Sequence, residues 1–182
     1  MRIISGKYGR RRLASIPQGI RPSSDRLRET LFDILGNSVV ESNWLDLFAG
    51  SGAVGIEALS RGAELVVFND ENMLATKLIS KNFEICKVQT ECKVYQSDAF
   101  KFLKYKKIST FDFIFIDPPY NFPRLRKLFM TLGRADCVRF STSVVLEMSK
   151  KTKLDFLEKN WSIFQQRIVG DSQLVFLEMS SK

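Results

Sequence analysis

Trp44-Leu45-Asp46-Leu47-Phe48-Ala49-Gly50-Ser51-Gly52-Ala53-Val54-Gly55 is the stretch on which the fold turns. Trp44 to Phe48 read as a central strand. The strand runs into Gly-x-Gly-x-x-Gly, made of Gly50, Gly52 and Gly55, and then into a helix reaching about Arg61. Glycines at such a junction let a ligand approach the backbone, and the helix start offers free N–H groups. Dinucleotide enzymes and S-adenosylmethionine enzymes both use strand, glycine loop and helix in this order. A tight turn with no ligand is the plain alternative.

Working outward, Glu64 to Asp70 is a second strand, and Asp70 follows Gly50 at the spacing where an acid meets ribose hydroxyls. Residues 72–87 read as a helix. Lys93 to Gln96 is a short third strand. Asp98, just beyond it, suits either an adenine amino group or the cap of the helix that follows. Phe111 to Asp117 is a fourth strand and Ser143 to Met148 a fifth, with a helix from Pro123 to about Arg134 between them. Residues 153–159 read as a further helix. Trp161–Val169 and Leu174–Met179 form an antiparallel pair across Gly170-Asp171-Ser172. Before all of these, Ser23 or Ser24 caps a helix whose buried face carries Leu27, Leu31, Phe32, Ile34 and Leu35, and Gly36 ends it.

Strand–helix alternation from 44 to 148 predicts a parallel sheet with right-handed crossovers. The closing hairpin brings the number of strands to seven, the last antiparallel. Ligands in such α/β sheets sit at the carboxyl ends of strands, where the strand order reverses. With the first and fourth strands as neighbours, the glycine loop faces the end of the fourth. There stands Asp117-Pro118-Pro119-Tyr120. The prolines lack an N–H and stop the strand, which leaves the Asp117 carboxylate at its tip. A stiff loop with a carboxylate, a free carbonyl and a flat ring suits an aromatic amine. A strand exit with a proline stop is the plain alternative.

Composition removes other chemistries. With 45% hydrophobic residues, 12% of the chain aromatic, disorder is not expected. No apolar run approaches the ~20 residues of a membrane span, and no signal-peptide core opens the chain, so a cytoplasmic protein is expected. There is no histidine, which excludes Ser-His-Asp and Cys-His triads and His-bound metals; no metal site is expected. Cys86, Cys92 and Cys137 lack metal or disulfide spacing. The net charge is +8, and residues 1–28 hold most of it: eight Lys/Arg against Asp25. Arg2, Lys7, Arg10, Arg11, Arg12 and Arg21 belong to this arm, which points to nucleic acid. Residues 2–14 read as a short hairpin or ribbon turning at Gly6-Lys7-Tyr8-Gly9, too polar to fold without leaning on the body or a partner.

The chain also resembles a known family over nearly its whole length, the bacterial small-subunit rRNA guanine-N2 methyltransferases of the RsmD type. Arg2-Ile3-Ile4-Ser5-Gly6, Arg21 to Phe32, the run Leu45 to Ala63 and Asp117-Pro118-Pro119-Tyr120 carry the resemblance. It implies a seven-stranded Rossmann-like S-adenosylmethionine-dependent methyltransferase fold with a basic N-terminal hairpin. One domain, 1–182, is expected, with 1–20 an RNA-binding extension and 21–182 the catalytic core. By the same resemblance Asp46, Phe48, Gly50 and Gly52 bound the methionine end of the cofactor, Asp70 (or its neighbour Glu71) holds the ribose, and Asp98 reads the adenine. Asp117 and the Pro118 carbonyl accept the amine N–H groups, and Tyr120 stacks on the base. The expected substrate is 16S rRNA, in an assembling 30S particle, and a monomer is expected. Three other readings share parts of this pattern. Adenine-N6 amino-methyltransferases of RNA or DNA also carry Asp-Pro-Pro-Tyr. A nicotinamide oxidoreductase accounts for the glycine loop and Asp70 alone. A non-catalytic RNA-binding module accounts for the basic arm alone.

Overall fold

The fold follows from a computed structural model that describes residues 1–18, 23–89, 92–105, 109–119 and 122–180. β1 (Asn43–Asp46) pairs in parallel with β2 (Leu65–Asp70) on one side and with β4 (Phe113–Ile116) on the other. β3 (Cys92–Gln96) extends the sheet beyond β2, and β5 (Ser143–Ser149) beyond β4, both in parallel. β7 (Ser172–Met179) inserts antiparallel between β5 and β6 (Trp161–Val169). The order is therefore β3-β2-β1-β4-β5-β7-β6, seven strands with β7 reversed. The strand order reverses at β1, between β2 and β4.

Helices cover both faces. α1 (Asp25–Leu35), α2 (Ala53–Ser60) and α3 (Met73–Cys86) belong to the face whose core holds Phe32, Trp44, Phe68 and Ile79. α4 (Ala99–Tyr105) and α5 (Leu125–Leu132) cover the other, around Phe102, Phe111, Ile114 and Phe129. This two-sided burial explains why β4 reads as an unbroken apolar run. Ser24 caps α1 by accepting the Leu27 N–H at 3.1 Å, and Gly36, at φ 52°, ends it. Among the described residues no helix is long and apolar enough to cross a membrane.

One expectation changes. Residues 153–159 form turns rather than a helix. Phe156 is buried against Phe129, with centroids 5.5 Å apart, and the Asp155 carbonyl accepts Arg126 Nη2 at 2.8 Å. These tertiary contacts win over the weak helical preference of a seven-residue segment. Residues 2–14 fold back on themselves as a ribbon closed by an antiparallel bridge, Arg2 to Arg12. The ribbon is held from below. Ile3 and Tyr8 are buried in the α1–α3 core. The Lys7 N–H bonds Ser60 O at 2.7 Å, and a Cβ on Gly6 would lie 1.9 Å from that same oxygen.

Candidate active site

β1 and β4 end side by side. Asp46 pairs with Phe115, and the Leu47 N–H reaches Phe115 O at 3.0 Å. The glycine loop and Asp117-Pro118-Pro119 therefore leave the sheet next to each other. In the loop, Gly50 (φ 53°) and Gly52 (φ 73°) use left-handed backbone that a side chain would strain. Asp46 lies beneath it, buried, and accepts the Gly55 N–H at 3.2 Å. Burial pushes the Asp46 carboxyl up to about 7; the Gly55 hydrogen bond opposes this, and the charge of Asp70 adds to it.

Asp70 is committed to the loop. One oxygen accepts the Gly50 N–H at 2.8 Å, and the other accepts the Asn72 N–H at 2.8 Å. Glu71 instead lines a narrow cleft together with Phe48, Asn69, Asp98, Phe100 and Phe122. Asp98 caps α4, accepting the Phe100 and Lys101 N–H groups through Oδ1 at 3.0 and 3.1 Å; Oδ2 lies 4.0 Å from Arg124. Phe122 meets Phe48 edge-on at 5.6 Å and stands nearly parallel to Phe100 at 6.4 Å. The rings leave about 20 Å³ between the walls, room for roughly one water.

Asp117 is half-buried at the tip of β4, and its Oδ2 accepts Ser23 Oγ at 3.4 Å. Pro118 is buried and Pro119 exposed. Tyr120 and Arg21 lie outside the described residues. On the ribbon, Arg2, Lys7, Arg10 and Arg12 are exposed. Arg2 and Arg12 line a groove of about 730 Å³ beside Asp25. Arg11 turns inward: its Nη1 donates to Cys86 O, and its guanidinium lies 5.3 Å from the Tyr8 ring centre.

Several residues were missed by sequence reasoning. Asn69 is buried, and its Nδ2 donates to Leu47 O at 3.2 Å and Ser97 O at 3.1 Å, tying two loops of the cleft to β2. Its Oδ1 has no hydrogen-bond partner among the described residues. The signal was a lone amide inside Val66-Val67-Phe68-Asn69. Phe100, Phe122 and Arg124 form the outer wall; only Phe122, two residues past Tyr120, had a visible link to the motif.

A nucleoside carrying a short polar chain matches this donor set. Carboxylates at Glu71 and Asp98 can accept from hydroxyl and amino groups. The unpartnered amide oxygen of Asn69 can do the same. Aromatic walls suit a flat ring, and the glycine loop admits a ligand to the backbone.

The family model described as conserved hypothetical protein 95 matches residues 1–178. Proteins called ribosomal RNA small subunit methyltransferase D are 32% identical in Haemophilus influenzae and in Escherichia coli. The matches cover 93% of this chain in both cases, and 89% and 85% of those relatives. The solved structure of yhhF from Escherichia coli, described as a candidate methyltransferase, superposes with a TM-score of 0.87. It is 30% identical and covers 100% of this chain and 99% of its own.

Proposed function

The chain belongs to the conserved hypothetical protein 95 family, and on that premise we propose that it methylates small-subunit ribosomal RNA. The methyl donor is S-adenosylmethionine, and the acceptor is the exocyclic N2 amine of a guanine in 16S rRNA, reached in a 30S particle during assembly. One observation carries this reading: Asp117 and Pro118 leave β4 directly beside the glycine loop that leaves β1. The protein acts as a single domain and a monomer, with residues 1–20 as its RNA-binding extension.

The bound cofactor supplies a methyl on a sulfonium, already a good leaving group. The chain's own residues hold and aim. Gly50 and Gly52 leave room for the methionine end, with Asp46 and Phe48 beside them. Asp70 keeps the loop in shape and stands with Glu71 at the ribose, and the second oxygen of Asp98 faces the adenine. A nucleoside is larger than the gap between the rings, so the cleft must widen to admit it.

The guanine amine is a weak nucleophile, because its lone pair is delocalised into the ring. The Asp117 carboxylate and Pro118 carbonyl accept its two N–H groups, which favours a more tetrahedral nitrogen and aims the lone pair at the methyl. Tyr120 stacks on the base once it has left its neighbours, worth about 1–3 kcal/mol. In-line positioning supplies most of the rate, on the order of 7–11 kcal/mol. The exposed cations of the ribbon take the flanking phosphates.

The test is calorimetric titration with S-adenosylhomocysteine, with NADH as comparison, followed by methyl transfer to 30S particles. Tight S-adenosylhomocysteine binding and loss of most turnover in Asp117→Ala, with cofactor affinity kept, support the reading. Binding of NADH alone, or equal loss of binding and turnover in the variant, overturns it.

A further inference from the structure

α4 and α5 lie against the same face of the sheet, and a groove of about 450 Å³ opens between them. Lys104 from α4 lines it, with Lys127, Thr131 and Arg134 from α5 and the turn after it. Leu103 and Met130 add apolar surface, and Asp136 is the acid in its lining. Nothing in the reaction described above uses this groove.

Its cations are in register. Arg124, Lys127, Thr131 and Arg134 follow one another at intervals of three or four residues, which aligns them on one side of a helix. The stripe continues past the last turn of α5, because Gly133 keeps right-handed backbone (φ −66°) and the Arg134 N–H bonds Thr131 O at 3.2 Å. Ten helical steps from Arg124 to Arg134 make it about 15 Å long. Arg124 opens the stripe in the wall of the cofactor cleft, 4.7 Å from the Phe100 ring and 5.4 Å from Phe122. Lys127, 5.4 Å from the same Phe100 ring, joins cleft to groove.

We propose that this stripe binds the sugar–phosphate backbone of the RNA beside the target nucleotide. The inference rests on the RNA-methylating reading and extends it. Charge complementarity selects the occupant: Lys104, Lys127 and Arg134 against Asp136 favour a polyanion, and Leu103 and Met130 offer contact to sugar faces. About 15 Å is long enough to meet more than one phosphate of a single strand. The basic ribbon lies on the α1–α3 face of the sheet and the stripe on the α4–α5 face. Asp117-Pro118-Pro119 stands between them, bonded towards α1 through Ser23 and followed by Phe122 and Arg124. RNA held at both places lies across the end of the sheet where the amine must react.

The experiment compares Lys127→Glu/Arg134→Glu with Lys151→Glu/Arg167→Glu, which makes the same charge change at exposed positions after β5 and on the edge strand β6 that line neither this groove nor the one beside the ribbon. Affinity for transcribed small-subunit rRNA and for 30S particles is measured over a range of salt, and S-adenosylhomocysteine is titrated alongside. The stripe pair should lose at least tenfold in RNA affinity near 0.1 M salt. Its log–log salt slope should flatten by about 1.4, two lost single-strand contacts. Its S-adenosylhomocysteine affinity should fall less than threefold, and the control pair should lose less than threefold in RNA affinity. An unchanged slope in the stripe pair, or equal loss in both pairs, overturns the stripe while leaving the methyltransferase reading standing. Wild-type protein that binds neither S-adenosylhomocysteine nor rRNA overturns both.

Discussion

Asp70 accepts the Gly50 N–H at 2.8 Å, so one carboxylate at the end of β2 fixes the shape of the glycine loop at the end of β1. Its other oxygen holds the Asn72 N–H, and Asn72 in turn caps α3 through the Leu74 N–H at 2.9 Å. Glu71, one residue on, lines the cleft. The two neighbouring acids therefore do separable work. Asp70→Ala orphans two N–H groups, at about 1–3 kcal/mol for a buried one. It should lower Tm by several degrees and weaken S-adenosylhomocysteine binding together. Glu71→Ala should weaken binding with Tm unchanged. Thermal melts beside titrations read both; a Glu71 variant with full affinity would assign the ribose to Asp70 alone.

Asp46 should make stability fall with rising pH. Its carboxyl is pushed up to about 7 in the fold, against an ordinary 3.8. The folded state thus binds the proton more tightly than the unfolded chain. The stabilisation is complete below about pH 4 and is lost as pH rises towards about 7. The span corresponds to at most about 4 kcal/mol. Other carboxylates slope the opposite way, so the readout is wild type against Asp46→Asn in denaturant melts from pH 4.5 to 7.5. The variant should gain relative stability as pH rises, and parallel curves would remove Asp46 from the pH response.

Gly55 should tolerate alanine worse than Gly52, against helix propensity. Gly55 is inside α2, where Ala is ordinarily better by up to about 1 kcal/mol. Yet a Cβ there would stand 2.2 Å from Phe68 Cε1 and 2.6 Å from Cζ, and Phe68 is fully buried. At Gly52 the nearest atom is Ile79 Cγ1 at 2.9 Å, and the left-handed backbone adds about 1–2 kcal/mol of strain. We expect Gly55→Ala to lose at least 3 kcal/mol in chemical denaturation and Gly52→Ala about 2. For Gly52→Ala the larger loss should be in cofactor affinity.

What was legible in the sequence was local chemistry. Gly50, Gly52, Pro118 and Pro119 announce their backbone whatever surrounds them, so the loops at the ends of β1 and β4 could be read directly. The continuous apolar runs of β2, β4 and β5 announce a sheet covered on both faces. Contacts between distant segments were not legible. Phe48, Phe100 and Phe122 form one cleft from two separate loops and the first turn of α4. The Phe129 contact that turns residues 153–159 out of a helix reaches across more than 20 residues. Arg11 looked like the other arginines of the basic arm until the fold brought Cys86 O to it.

The ribbon's attachment gives the last prediction. Glu57 is fully buried in α2 and accepts Ile4 N–H at 2.7 Å, Ser5 N–H at 3.0 Å, Arg28 Nη1 at 3.3 Å and Arg61 Nε at 2.9 Å. Arg28, equally buried, donates to Arg2 O and to Asp25, both at 2.7 Å. Burial pulls its guanidinium below the ordinary value, and Glu57 and Asp25 pull it back up. Glu57→Ala removes the carboxylate that holds Arg28 and also accepts the ribbon's Ile4 and Ser5 N–H groups, and leaves Arg28 with Asp25, which also pairs with Arg2 of the ribbon. Taking one of two carboxylates from a buried cation, and orphaning two ribbon N–H groups with it, costs about 3–5 kcal/mol together. At roughly 2–4 °C per kcal/mol in a chain of this size, Tm should fall by about 6–20 °C. Glu57→Gln keeps the shape and some of the acceptors, and should fall less. The two variants separate anchoring from catalysis. Measured well below either melt, RNA affinity should drop more than S-adenosylhomocysteine affinity, because Ile4 and Ser5 hang from Glu57 while the glycine loop is held by Asp70 and Asp46. Equal losses in both affinities would mean that α2 itself has shifted, and that the ribbon and the cofactor loop respond as one body.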